Sequence, residues 1–144
     1  LQSLAGDIVK VSGKVKGTVE ALPAFDNNVD AVLTFESGAI GTLTASWSSH
    51  IPYNIKGVIG TKGSVFLQGD DIWDNTKVIT RLADGMKTEE RLEDIFQDGD
   101  GYLEENRIFV ACIEKGIDVP SGLSVGRKVL EISRKILESS GKGD

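Results

Sequence analysis

Two residues of this 144-residue chain, His50 and Tyr53, have side chains suited to binding a polar small molecule. They stand in the segment SWSSHIPYNIKG, directly after a predicted strand, and loops at strand ends often line clefts. A tyrosine offers a hydroxyl group and a ring face, which together can hold a sugar or a polyol. We therefore take His50 and Tyr53 as candidate substrate-binding residues. The alternatives are a structural or solvated histidine and an ordinary strand aromatic.

A carboxylate-rich segment, QDGDGYLEEN, raises the possibility of a calcium loop. An EF-hand loop needs oxygen ligands at positions 1, 3, 5, 7, 9 and 12, with glycine at position 6. When Gly101 is set at position 6, Asp98 and Asp100 fall on ligand positions, but position 1 is Phe96 and position 12 is Arg107. The first ligand and the bidentate glutamate are therefore missing. We predict that this segment binds no metal.

The glycines of GVIGTKGSV invite comparison with phosphate-binding loops. A Walker A loop ends in Gly-Lys-Ser/Thr, and the dinucleotide motif is G-x-G-x-x-G between a strand and a helix. Here Gly57, Gly60 and Gly63 are spaced G-x-x-G-x-x-G between two predicted strands. We therefore predict a turn and no cofactor bound by this chain alone.

Charge and composition narrow the function classes. The net charge of −6 and the pI near 4.8 argue against a nucleic-acid surface, which needs a clustered basic face. No apolar run approaches the roughly 18 residues of a membrane span. The single cysteine, Cys112, lies in a predicted apolar helix, cannot form an internal disulfide, and so fits a reducing cytoplasm. We expect a cytoplasmic protein with no nucleic-acid or membrane partner and no zinc site.

The elements that position these residues follow from the spacing of apolar residues. Over the first two thirds of the chain they alternate with polar ones, which predicts antiparallel strands. The first strand places Val9, Val11 and Val15 on one face, and the second places Ala31, Leu33 and Phe35 together. The predicted strands are DIVKVSGKVKGTVE, VDAVLTFE, AIGTLTASWSS, residues 53–59, residues 64–68, TKVITRLA and MKTEERL.

The last third has helical spacing. One helix is predicted over residues 103–115, and a final helix is predicted with Ser121 or Ser124 as its cap. The apolar stripe of the final helix is expected to contain Val125, Val129, Leu130, Ile132, Ile136 and Leu137. Strands followed by helices indicate an α+β fold, an open and mainly antiparallel sheet with helices packed on one face. The other face, rich in Thr and Ser, is expected to be free for sheet-to-sheet oligomerisation.

Three segments, taken together, carry a family resemblance. VDAVLTFESGAIGTLTASW, IKGVIGTKGSVFL and GYLEENRIFVACIEKGIDVPSGLSVGRKVLEISRKILESSGK resemble, in order and spacing, the C-terminal domain of the Gfo/Idh/MocA oxidoreductases. This family includes glucose–fructose oxidoreductase and inositol dehydrogenase. The resemblance implies that residues 1–144 are one substrate and oligomerisation domain. It places the dinucleotide-binding Rossmann domain and the catalytic residues before Leu1, which fits a chain that lacks an initial Met.

The resemblance also implies a function. The full-length protein is expected to transfer hydride between NAD or NADP and a sugar or polyol, and to form a homo-oligomer through the open sheet face. His50 and Tyr53 match positions where some relatives contact substrate. A non-enzymatic member that serves assembly or sugar sensing is the alternative, and an independent carbohydrate-binding module is a third. A dinucleotide motif and a catalytic lysine upstream of Leu1 would favour the enzyme.

Overall fold

The computed structural model of the chain describes residues 2–22, 24–69, 76–95 and 101–142. The chain divides into two compact units, Leu1–Ser49 with Pro120–Asp144, and His50–Val119. Each unit contains one open antiparallel sheet, so the predicted α+β class is confirmed. In chain order the elements are α1 (Gln2–Ala5), β1 (Ile8–Lys16), β2 (Asn28–Phe35), β3 (Ile40–Ser46), β4 (Asn54–Gly60), β5 (Gly63–Gly69), β6 (Lys77–Leu82), β7 (Lys87–Arg91), α2 (Leu92–Ile95), α3 (Gly101–Lys115) and α4 (Leu123–Ser139).

The first unit is built on a three-stranded sheet in the order β1–β2–β3, with α4 packed against β1. Its core is the predicted face of the central strand: Ala31, Leu33 and Phe35 are buried beneath Ile136 of α4. Burying one such aliphatic side chain stabilises a fold by about 1.5–3 kcal/mol. The predicted stripe of α4 is confirmed at Ile136 and at Ile132, which packs on the core, but Leu130 is 71% exposed.

The start of β1 differs from the expected alternation. The pairing of β1 with β2 shifts register between Ile8 and Lys10, which marks a β-bulge. The extra residue turns Val9 outward, where it is 60% exposed, and Ile8 packs on the core instead. The expectation that Val9 shares a face with Val11 was therefore wrong.

The C-terminal end of α4 meets the free edge of β1. Gly13 donates its backbone N–H to Ser139 Oγ at 2.8 Å, and Val15 donates to Ser140 Oγ at 2.9 Å. A Cβ atom at Gly13 would lie 3.0 Å from Ile136 Cγ2, so glycine is what lets the helix approach the strand this closely. Two strand donors are thereby satisfied by hydroxyl groups rather than by another strand.

The end of α3 agrees with the prediction, whereas the start of α4 does not. α3 ends at Lys115, and Gly116 follows with φ +62°, the left-handed conformation that glycine favours. At the start of α4, Gly122 is the N-cap and makes no side-chain cap hydrogen bond. The predicted capping role of Ser121 or Ser124 was therefore wrong.

The second unit has a four-stranded sheet in the order β4–β5–β6–β7, in which all neighbours are antiparallel. A turn at Asp84 and Gly85 joins β6 to β7, with Gly85 at φ +94° and the Asp84 carboxylate accepting the Met86 N–H at 2.9 Å. Cys112 lies on α3, the predicted helix, and its thiol is free and buried.

Candidate functional site

The two candidate substrate residues lie on the connection between β3 and β4. β3 ends at Ser46 and β4 begins at Asn54, so His50 and Tyr53 stand in the same short connection. Both side chains are accessible: His50 is exposed and Tyr53 is 57% exposed. The structure therefore keeps the imidazole and the phenol open to a ligand, as a binding role requires.

A buried asparagine fixes the start of this connection. Trp47 donates its backbone N–H to the carbonyl of Asn27 at 2.8 Å, and the Asn27 side chain is held by Thr18. Asn27 is only 2% exposed, and its Oδ1 accepts the Thr18 N–H at 2.8 Å. A buried amide with its partners in place resists displacement, because breaking one of these bonds leaves a desolvated polar atom. Sequence reasoning missed Asn27, since nothing local distinguishes it from a loop asparagine.

Beside this anchor lies an exposed cluster of hydroxyl and amide groups. Asn28 Oδ1 accepts hydrogen bonds from Ser46 Oγ at 2.5 Å and Ser48 Oγ at 3.1 Å, and Asn28 Nδ2 donates to Thr18 Oγ1 at 3.2 Å. The sequence placed Ser46 and Ser48 on the polar face of a strand, but it did not predict that Asn28 joins them. Asn28 pairs directly with Ser46 in the β2–β3 ladder, so the cluster could have been predicted from the register of these two strands.

The first sheet has a polar face on the side away from α4. We call this surface, which consists of Asp30, Val32, Thr34, Thr42 and Thr44, the threonine face. The face carries one carboxylate, Asp30, which accepts a hydrogen bond from Thr44 Oγ1 at 2.8 Å.

The neighbouring strand β1 adds a row of lysines to the same side of the sheet. Lys10 pairs in register with Thr34, and Lys14 pairs with Asp30. This side of the sheet is therefore uncharged along β3, carries Asp30 on β2 and is basic along β1.

The structure also places the segments that were considered for metal binding and for nucleotide binding. Within the described residues no three His, Cys, Asp or Glu side chains form a group that could hold a metal ion. Arg107 lies inside α3 and pairs with Glu104 at 3.8 Å, whereas Asp98 and Asp100 lie outside the described residues. The spaced glycines occupy the hairpin of β4 and β5. A pyrophosphate site needs a strand that runs into a helix N-terminus, and this hairpin does not provide one.

In the part of the chain that the structure describes, no helix is both long enough and apolar enough to cross a membrane.

The fold and the site are those of an α+β domain that presents an open sheet and an accessible connecting loop. Residues 1–66 match the model of the GFO/IDH/MocA C-terminal domain family. The match confirms the resemblance to this domain that the sequence motifs indicated. None of the curated proteins compared with the chain matches it.

Several solved structures share the fold over nearly the whole chain. Levoglucosan dehydrogenase in complex with NADH superposes with a TM-score of 0.82 at 20% identity, covering 99% of this chain and 45% of that one. Aldose-aldose oxidoreductase from Caulobacter crescentus, complexed with glycerol, gives 0.76 at 20% identity and covers 96% and 40%. An oxidoreductase from Agrobacterium radiobacter in complex with NAD+, L-tartaric acid and magnesium gives 0.76 at 14% identity and covers 99% and 44%. The chain thus spans less than half of each of these proteins.

Proposed function

We propose that the chain is the substrate-binding and oligomerisation domain of an NAD(P)-dependent sugar or polyol oxidoreductase. The observation that carries the proposal is the agreement in fold, over 99% of the chain, with part of a levoglucosan dehydrogenase that binds NADH. The family match over residues 1–66 supports it independently. We assign the full-length enzyme to the cytoplasm, in keeping with the buried free thiol of Cys112.

In this proposal His50 and Tyr53 bind and orient the substrate. The Tyr53 hydroxyl can donate a hydrogen bond to a substrate oxygen and accept one from a substrate hydroxyl, while His50 supplies a second polar group three residues away. The nicotinamide of NAD or NADP, held by a dinucleotide-binding domain of the full-length protein, would accept hydride from the substrate carbon. The hairpin glycines of this chain offer no cradle for the cofactor, so none of its residues is assigned to cofactor binding.

Steady-state kinetics of the full-length protein test the enzymatic role. Reduction of NAD+ and NADP+ is followed by nicotinamide absorbance with glucose, levoglucosan, glycerol and myo-inositol as substrates. We expect saturable turnover with at least one of them. If these compounds bind but neither cofactor is reduced, the sugar-sensing alternative replaces the enzyme.

A matched pair of variants tests the site. Tyr53→Phe removes one hydroxyl group, and losing a hydrogen bond worth about 1 kcal/mol should raise KM by about fivefold. Ser133→Ala removes a hydroxyl group from the exposed side of α4, where it donates to the Val129 carbonyl of its own helix, and serves as the control. Equal KM values for the two variants would show that Tyr53 does not contact the substrate.

The isolated 144-residue chain should not bind NADH. A titration followed by nicotinamide fluorescence should show no saturation, because the sequence contains neither a G-x-G-x-x-G motif nor a Walker A motif. Saturable binding in the micromolar range would contradict the assignment of the cofactor to another domain.

The oligomerisation role belongs to the threonine face. Threonine hydroxyls lose hydration at a lower cost than charged groups, and Val32 adds an exposed aliphatic side chain at the centre of the face. An isologous contact between two copies places each residue near its counterpart across a two-fold axis. We place that axis over β2 and β3, since the lysines of β1 would repel one another if they lay close to it.

A further inference from the structure

One face of the second sheet combines apolar and basic side chains in a way that the oxidoreductase proposal does not use. Residues directly opposite each other in antiparallel strands lie on the same face of the sheet. Following these pairs from β4 to β7 therefore identifies the residues of one face. We call this surface the Arg81 face, and its key residues are Ile59, Ser64, Phe66, Ile79, Arg81 and Lys87.

The apolar half of the Arg81 face lies on β4 and β5. Gly57 is directly opposite Phe66, and the Phe66 ring lies so close over Gly57 that a Cβ atom there would collide with it. The ring therefore covers the backbone of β4. Next to it, Ile59 is 79% exposed. An aromatic ring flanked by an exposed isoleucine resembles the centre of a protein interface more than an ordinary solvated surface.

The basic half lies on β6 and β7. Arg81 and Lys87 are directly opposite each other, and like charges in this position destabilise a sheet. Neither of them has an ion-pair partner among the described residues. Glu89, the carboxylate in the adjoining row of this face, pairs with Lys77 at 3.6 Å rather than with Arg81 or Lys87.

The nearby turns leave this end of the sheet positive. Lys62 stands in the β4–β5 turn, and its carbonyl accepts the Ala83 N–H at 3.0 Å, which holds that turn beside the end of β6. Asp84 is the carboxylate of the adjoining β6–β7 turn. This end of the sheet therefore contains three cations, Lys62, Arg81 and Lys87, and one anion, Asp84. The chain as a whole has a net charge of −6.

We propose that the Arg81 face docks an acidic surface of another protein. Carboxylates of the partner would lie over Arg81 and Lys87, and its apolar side chains would cover Phe66 and Ile59. Charge complementarity selects this occupant, because an isologous contact with a second copy would bring Arg81 and Lys87 against like charges. A small molecule fits less well, because the cavity of about 380 Å³ whose lining includes Phe66, Ile79 and Arg81 is wide open to solvent, whereas small ligands bury most of their surface in a cleft.

Binding of a random copolymer of glutamate and tyrosine, compared with polyglutamate, tests the proposal without using sugar or nicotinamide. The 144-residue chain should bind the copolymer more tightly than polyglutamate, and raising the salt concentration should weaken both interactions. Lys87→Glu should weaken copolymer binding at least about tenfold. Ile59→Ser should reduce the preference for the copolymer, because it removes apolar contact and leaves the charges unchanged.

Lys135→Glu is the matched control, since it makes the same charge change on an exposed lysine of α4. The proposal predicts that this variant binds the copolymer like the parent chain. If Lys135→Glu weakened copolymer binding equally, the effect would come from net charge alone, and the proposed docking site would be wrong. Stronger binding to phosphatidylserine vesicles than to the copolymer would overturn it in favour of a membrane surface. Dissociation of a dimer by Lys87→Glu would overturn it in favour of self-association.

Discussion

At the scale of single residues, Gly13 shows how tightly the first unit is packed. A Cβ atom at this position would meet Ile136 Cγ2 at 3.0 Å, Ala31 Cβ at 3.1 Å and the Asp30 carbonyl at 3.2 Å. Gly13→Ala should therefore push α4 away from β1 and lower the free energy of unfolding by roughly 1–3 kcal/mol.

Gly126→Ala is the control for this prediction. Gly126 lies in the first turns of α4, and a Cβ atom there has no atom other than the helix's own backbone within 4 Å. This change should stabilise the chain by roughly 0.5–1 kcal/mol. Urea unfolding of both variants measures the two effects. If both substitutions stabilised the chain, the residues around Gly13 would accommodate the added methyl group without strain.

Residue-level burial was predictable where a strand is regular and unpredictable where it is not. Ala31, Leu33 and Phe35 alternate with polar residues along β2, and all three are buried as expected. The prediction for Val9 was wrong because a bulge depends on how β1 pairs with β2, and the alternation of residues within β1 carries no information about that pairing. Asn27 was missed for the same reason, since its partner Thr18 is fixed by tertiary structure rather than by a local motif.

At the scale of elements, the end of α4 protects the edge of β1. An edge strand with free N–H groups can pair with another chain, and here Ser139 and Ser140 occupy the donors of Gly13 and Val15. Replacing both serines with alanine should lower the free energy of unfolding by roughly 2 kcal/mol, at about 1 kcal/mol per net hydrogen bond.

Ser133→Ala provides the comparison within the same helix. The Ser133 hydroxyl donates to the Val129 carbonyl at 3.1 Å on the exposed side, where water can replace it. Thermal unfolding should therefore show a clear decrease for the double variant and almost none for Ser133→Ala. Equal melting temperatures for the two variants would show that water satisfies the β1 edge as well as the serines do.

Most elements were predictable because their apolar period is visible in the sequence, whereas their ends and contacts were not. The strands and the two long helices lie close to their expected positions. The hydroxyl contact between Ser139 and Gly13 spans 126 residues of sequence, so no local pattern reports it. For the candidate site, the sequence located His50 and Tyr53 on an accessible connection. It could not give the hydrogen bonds of Asn27 that hold the start of that connection in place.

At the scale of the whole molecule, the threonine face should join two copies of the chain. Thr42 is exposed on β3 and lies directly opposite Val32, with no carboxylate in its row, whereas Thr44 lies opposite Asp30. Thr42→Arg therefore inserts a cation that no carboxylate in its own row can neutralise. In an isologous dimer the substitution acts twice across the axis, so the two guanidinium groups repel each other and must also lose water.

Sedimentation velocity of the parent chain, Thr42→Arg and Ser133→Arg at matched concentrations measures this effect. We expect a dimer for the parent chain and for Ser133→Arg, which adds the same charge to the exposed side of α4. Thr42→Arg should sediment as a folded monomer with an unchanged circular dichroism spectrum, because its side chain lies on the surface and outside the core of β2 and α4. A monomeric parent chain, or a Thr42→Arg variant that stays dimeric, would show that the threonine face meets only solvent.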